Sequence, residues 1–111
     1  MKLFKRTPEF EKEFKRLVKK FRSLDEDICS FEKILEAYPT GVGSKFVIIH
    51  SDSGVKIVKA RLACRALRES SLRVIYAWHE QCVTFFYIEL YHKGEKENED
   101  RVRISEYLKS L

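Results

Sequence analysis

The sequence predicts an α+β fold: an N-terminal strand and a two-helix hairpin packed on an antiparallel sheet of about four strands, with a closing C-terminal helix. Three features carry this. Apolar residues recur at helical spacing from Phe10 to Tyr38, they alternate with polar ones every second residue from Val58 to Leu90, and helical spacing returns towards the C-terminus. At 111 residues with 44% apolar side chains, the chain reads as a single domain, 1–111, with enough apolar surface for a core of its own.

Lys2–Arg6 is a short first strand. Thr7-Pro8 then opens a helix, Thr7 as cap and Pro8 in the first turn, where its missing N–H costs nothing. Phe10, Phe14, Leu17, Val18 and Phe21 form one stripe, so this helix is expected over about residues 8 to 22. Ser23-Leu24-Asp25-Glu26 fits a capping box, and Ile28, Phe31, Leu35 and Tyr38 continue a second helix that Pro39-Thr40-Gly41 ends. Residues 39 to 55 are open: Phe46-Val47-Ile48-Ile49 reads as a short strand or as a loop against the core. Val58, Ala60, Leu62 and Cys64 alternate with Lys59, Arg61 and Arg65, placing cations on the face away from the helices. Residues 72–79 and 83–94 read as two long strands joined by a tight turn, with Tyr76 and Trp78 in the core. The same alternation separates Phe86, Ile88 and Leu90 from Tyr87, Glu89 and Tyr91. A last helix, roughly 97 to 111, is expected to bury Ile104, Tyr107, Leu108 and Leu111.

The formal charge is +5, but its distribution says more than its sum. Lys45, Lys56, Lys59, Arg61, Arg65, Arg68 and Arg73 face only Asp52 and Glu69 within their stretch, whereas 95–100 is mostly acidic. Three cysteines, Cys29, Cys64 and Cys82, lack the pairing of a disulfide framework or a CxxC zinc site, and are expected as buried thiols in a reducing cytoplasm. No His, Cys or carboxylate pair has metal-ligand spacing, so no metal or other cofactor is expected. No run approaches the roughly 20 apolar residues needed to cross a bilayer, and the N-terminus lacks a signal-peptide core; a cytoplasmic protein without membrane association follows.

Lys59, Arg61, Arg73 and Lys93, with Tyr87 and Tyr91 beside them, suit RNA: phosphates take the charge while unstacked bases lie on aromatic or guanidinium planes. RNA cleavage needs no metal when its own 2′-hydroxyl attacks the adjacent phosphate. The site must then supply a base for the 2′-OH, cations for the phosphorane and an acid for the departing 5′ oxygen. Arg73 fits the phosphorane, because a guanidinium offers two parallel donors. Tyr91, His92 or a Lys59 of lowered pKa are candidates for moving protons. Against these stand plainer roles: Lys59 and Arg61 as the solvated face of a strand, Arg73 in a salt bridge to Glu69 or Glu89, and His50, His79 and His92 without catalytic duty.

The order of elements, together with Ser71-Leu72-Arg73-Val74-Ile75-Tyr76 and Ile88-Glu89-Leu90-Tyr91-His92-Lys93-Gly94-Glu95-Lys96-Glu97-Asn98-Glu99-Asp100, resembles the RelE/ParE superfamily of type II toxin–antitoxin toxins over nearly the whole chain. The resemblance implies a toxin whose RelE-like branch enters the ribosome and cuts messenger RNA by metal-free 2′-OH attack. It also implies a cognate antitoxin that wraps the toxin and brings the pair to operator DNA. Carried over, Arg73 matches the arginine that opens the penultimate strand, and Lys93 falls near the second active-site cation. Lys56, Lys59 and Arg61 lie in the strand that supplies lysines, and with Arg65 are the expected RNA-binding set. The expected catalytic set is Arg73, Lys93, Tyr91 and His92. The departure is at 95–100, which holds neither the tyrosine nor the histidine of the RelE-like branch, so Tyr91 or His92 would substitute. Two other readings stay open: a ParE-like inhibitor of DNA gyrase, and a degenerate toxin that only binds its antitoxin.

Overall fold

In a computed structural model that describes residues 2–67 and 71–111, the order of elements is β1 (Leu3–Arg6), α1 (Pro8–Lys20), α2 (Leu24–Ala37), β2 (Phe46–Asp52), β3 (Val55–Ala63), β4 (Ser71–His79), β5 (Thr84–His92) and α3 (Arg101–Lys109). The α+β class and its sequence of elements match expectation. The sheet has five strands rather than about four, because the open segment 39–55 contributes β2 at one edge; the order is β1-β5-β4-β3-β2. It is mixed, since β1 runs parallel to β5 while the other neighbours are antiparallel. Gly41, at φ +79, ends the approach to β2 in a turn where a Cβ would run into the Phe46 ring.

Local chemistry sets the helix ends. Thr7 Oγ1 accepts from the Phe10 N–H at 3.3 Å and donates to the Tyr87 carbonyl at 3.0 Å, so one side chain caps α1 and ties it to β5. The capping box expected at Ser23 does not form. Ser23 has αR backbone angles, and its hydroxyl donates to Asp27 at 2.7 Å and accepts from the Ala66 N–H at 3.0 Å, binding the start of α2 to the segment after β3. Helix α3 starts four residues later than expected, capped by Asp100, and Leu111 is exposed rather than buried.

Helices α1 and α2 cover one face. Phe10, Phe14, Leu17, Leu24, Ile28, Phe31 and Leu35 meet Val58, Ala60, Leu62, Leu72, Val74, Tyr76, Phe85, Tyr87 and Leu90 there, and Trp78 stacks on Phe85 with centroids 4.4 Å apart. On the opposite face α3 lays Ile104, Tyr107 and Leu108 against Ile57, Ile75, Ala77 and Ile88, leaving the rest of that face open. Of the cysteines only Cys64 is buried; Cys29 and Cys82 are exposed, against expectation, because they stand on the outer side of α2 and in the β4–β5 turn.

One irregularity decides which side chains share a face. Tyr87 pairs with Tyr76 and Glu89 with Ile75, so Ile88 is an extra residue in β5, a β-bulge. Strict alternation across it would put Tyr87 and Tyr91 together. The bulge instead turns Tyr87 and Leu90 towards α1 and α2, while Tyr91 faces away from them.

A candidate anion-binding cleft on the sheet

The face opposite α1 and α2 holds an open cleft of about 580 Å³ lined by Lys45, Lys59, Arg61, Arg73, Lys93 and Arg101, by Glu97, Asn98 and Glu99, and by parts of β2. Strands β3 and β4 supply its floor. Arg61 and Arg73 are direct cross-strand partners on this face, a like-charged pairing that costs stability unless an anion lies over it. Neither has a carboxylate partner among the described residues. Arg73 Nη1 instead donates to the Ser71 carbonyl at 3.2 Å and to the Ser71 hydroxyl at 2.7 Å, which fixes the guanidinium without neutralising it. Burial, with Arg61 facing it, pushes the Arg73 pKa down from its ordinary value. The expected Arg73–Glu69 bridge lies outside the described residues, and Glu89 does not take that part, being engaged elsewhere.

The far wall is the segment from Lys93 to Arg101. Glu89, wholly buried in β5, pairs with Lys96 and accepts from the Asp100 N–H at 2.8 Å. Glu95 pairs with Arg16 and Lys20, each at 3.1 Å, and its N–H donates to the His92 carbonyl. Glu99 accepts from Lys59 Nζ at 2.9 Å and pairs with Arg101. Its side chain is 5% exposed, and the Lys59 hydrogen bond holds its carboxyl down at about 2. In return Lys59 is raised, mainly by Glu99, so the ammonium stays charged and the expectation of a lowered lysine pKa is reversed. Tyr91, paired with Arg73 in the sheet, is buried under this group. Its hydroxyl has no hydrogen-bond partner among the described residues, and burial raises its pKa.

Of the expected site residues, Arg73, Lys93, Lys59 and Arg61 line one cleft, and Tyr91 lies behind it. His92 is on the other face: it pairs with Leu72, and Phe21 meets its ring in an edge contact at 5.7 Å. Tyr87 is there too, donating to Glu32 at 3.0 Å, for the reason the bulge supplies. Lys56 stands at the far end of β3 opposite Trp78, paired with Glu80 at 2.9 Å. Arg65 is bound to Glu26 and Asp27 of α2, outside the cleft. Sequence reasoning missed Lys45, Glu97, Asn98, Glu99 and Arg101. Lys45 fell in the unassigned segment, and the 95–100 run read only as mostly acidic, its later residues as the start of the last helix.

No protein-family model and no curated protein sequence matches the chain. Among solved structures, a chain of the crystal structure of the archaeal RelE–RelB complex from Pyrococcus horikoshii OT3 superposes with a TM-score of 0.64 at 19% identity, over 84% of this chain and 96% of that one. The fold is therefore RelE-like. Among the described residues, no helix is long and apolar enough to cross a membrane, and no three His, Cys, Asp or Glu side chains gather as a metal site would need.

Proposed function

We propose that this chain is the toxin of a type II toxin–antitoxin module and cleaves messenger RNA on the ribosome by metal-free attack of the 2′-hydroxyl. The observation that carries the reading is the Arg61–Arg73 pair, two guanidinium groups set opposite each other in a cleft with Lys93 and no balancing carboxylate on either among the described residues. Such a floor suits a phosphate that gains charge as it becomes a phosphorane. Arg73, fixed by Ser71, would hold the phosphorane oxygens together with Arg61 and Lys93, while Lys45 and Arg101 at the rim would take neighbouring phosphates of mRNA and ribosomal RNA. Lys59 would act as a permanent charge. Tyr91 would support Lys59 from beneath, and His92, Lys56 and Arg65 drop out of the chemistry.

The likeness to a chain of a RelE–RelB complex supports a cognate antitoxin as partner, with operator DNA reached only through that complex. The open edge strand β2, which exposes Val47 and Ile48, is an apolar surface that such a partner would cover.

Inducing wild type and Arg73→Ala in cells, and following growth, translation and transcript ends, tests the reading. The expected result is translation arrest with cuts inside codons, abolished by the substitution. Growth arrest with intact transcripts and a DNA-damage response would point to gyrase instead, and normal growth to a chain that only binds its antitoxin.

A further inference from the structure

The cleft as described has cations in excess and a shortage of bases. Lys45, Lys59, Arg61, Arg73, Lys93 and Arg101 carry positive charge, and Lys59 and Arg101 together occupy Glu99. Tyr91 is sealed beneath Lys59. The wall segment, however, is pinned on both sides of its middle: Glu95 to α1, Lys96 and the Asp100 N–H to Glu89, Glu99 to β3. Glu97 and Asn98, between these anchors, have no hydrogen bond or ion pair among the described residues, and both line the cleft. A rigidly held loop that offers one exposed, unengaged carboxylate to a cationic floor places a proton acceptor beside the phosphate site.

We infer that Glu97 is the general base of the cleavage reaction, an assignment that rests on the RNA-cleaving reading above. Glu97 takes the proton of the 2′-hydroxyl as that oxygen bonds to phosphorus, and the bond from phosphorus to the 5′ oxygen breaks. The departing oxygen takes a proton from the Lys93 ammonium at the open rim. The products are a 2′,3′-cyclic phosphate and a 5′-hydroxyl, and Glu97 and Lys93 return to their starting states by exchange with solvent. An ionised carboxylate is the type of group this step needs, and positioned acids and bases contribute on the order of 10²- to 10⁴-fold.

The test uses the full chain and ribosomes programmed with a defined mRNA, with single-turnover rates and ribosome affinities of wild type, Glu97→Gln and Glu97→Asp measured side by side. Glu97→Gln is expected to slow cleavage about 100-fold or more with ribosome affinity unchanged. Glu97→Asp, which keeps a carboxylate, should recover part of the rate. Wild-type cleavage with an equally fast Glu97→Gln variant overturns the assignment and leaves the nuclease reading standing, as does an effect confined to affinity. If wild type itself leaves the mRNA intact while Arg73→Ala still relieves growth arrest, the nuclease reading fails and takes the assignment with it.

Discussion

Arg61 of β3 and Arg73 of β4 face each other across adjacent strands, and no carboxylate among the described residues neutralises either of them. Directly opposed like charges are destabilising by up to about 1 kcal/mol, and the cost grows as water is excluded. Arg73 is half-buried and held by Ser71, so it cannot simply swing into solvent. The pairing therefore costs some stability, which an anion placed over it would return.

This gives opposite signs for stability and function. Arg61→Gln and Arg73→Gln should each leave the unfolding free energy from urea titration unchanged or raise it, by a few tenths to about 1 kcal/mol. Both should weaken RNA binding, Arg73→Gln more, and flatten the dependence of log affinity on log salt by roughly one for each phosphate that is no longer neutralised. A variant that is destabilised and keeps its RNA affinity would show that these arginines serve the sheet rather than a ligand.

Glu99 and Lys59 make stability depend on pH at both ends. The Glu99 carboxyl titrates near 2 in the folded chain and near about 4.3 when unfolded, so its contribution is complete above the unfolded value and is lost as pH falls from about 5 towards 2. Lys59 is raised in the folded chain, so its share is complete below about 10.4 and disappears as pH rises through the higher folded value. Lys59 keeps about a quarter of its side-chain exposure, which limits the pair to about 1–2 kcal/mol. Urea titrations at pH 3, 7 and 11 should show both losses in wild type. Glu99→Gln should remove its share of the acid-side loss, and a wild-type curve flat between pH 5 and 3 would mean that the pair is not formed in solution.

The elements were legible because each carried a period. Helix α1 announced itself by Thr7-Pro8 and a clean apolar stripe, and β3 by the strict alternation of Val58, Ala60 and Leu62 with Lys59 and Arg61. Arg61 and Arg73 were readable as cleft residues for the same reason, since nothing interrupts the pleat between them. Parity failed where the backbone broke it. Ile88 carries no turn residue or glycine to mark a bulge, so Tyr87 was assigned to the wrong side of the sheet while Tyr91 was assigned to the right one; His92, a proton-transfer candidate by residue type alone, falls on the helix side. Ser23 was misread because its hydroxyl has better partners in Asp27 and the Ala66 N–H, the second of them distant in sequence. The acidic wall was invisible for a related reason: in a run that reads only as mostly acidic, Glu95 is claimed by α1, Glu99 by β3 and α3, Lys96 by Glu89 of β5 and Asp100 by the Arg103 N–H of α3, leaving Glu97 exposed.

The bulge itself is held from both faces of the sheet, and this can be measured. Glu13 of α1 accepts from the Leu90 N–H at 3.0 Å and from Arg103 of α3 at 2.9 and 3.1 Å, and Arg103 also donates to the Ile88 carbonyl at 3.1 Å. Backbone groups that an extra residue removes from the ladder are thus satisfied by a charged pair bridging two helices. Glu13→Ala takes the close carboxylate from the Arg103 guanidinium and leaves the Leu90 N–H without its acceptor, and should cost about 2–3 kcal/mol; Arg103→Ala should cost a similar amount. The double variant should cost clearly less than the sum, with a coupling of at least about 1 kcal/mol. Glu13→Gln, which keeps an acceptor for Leu90, should recover part of the deficit. Because the bulge sets whether Tyr91 lies behind the cleft, Glu13→Ala should also lower toxicity in cells at matched protein level, even though Glu13 lies outside the cleft lining. Strict additivity of the two alanine variants, with toxicity intact, would mean that the sheet keeps its register without help from either helix.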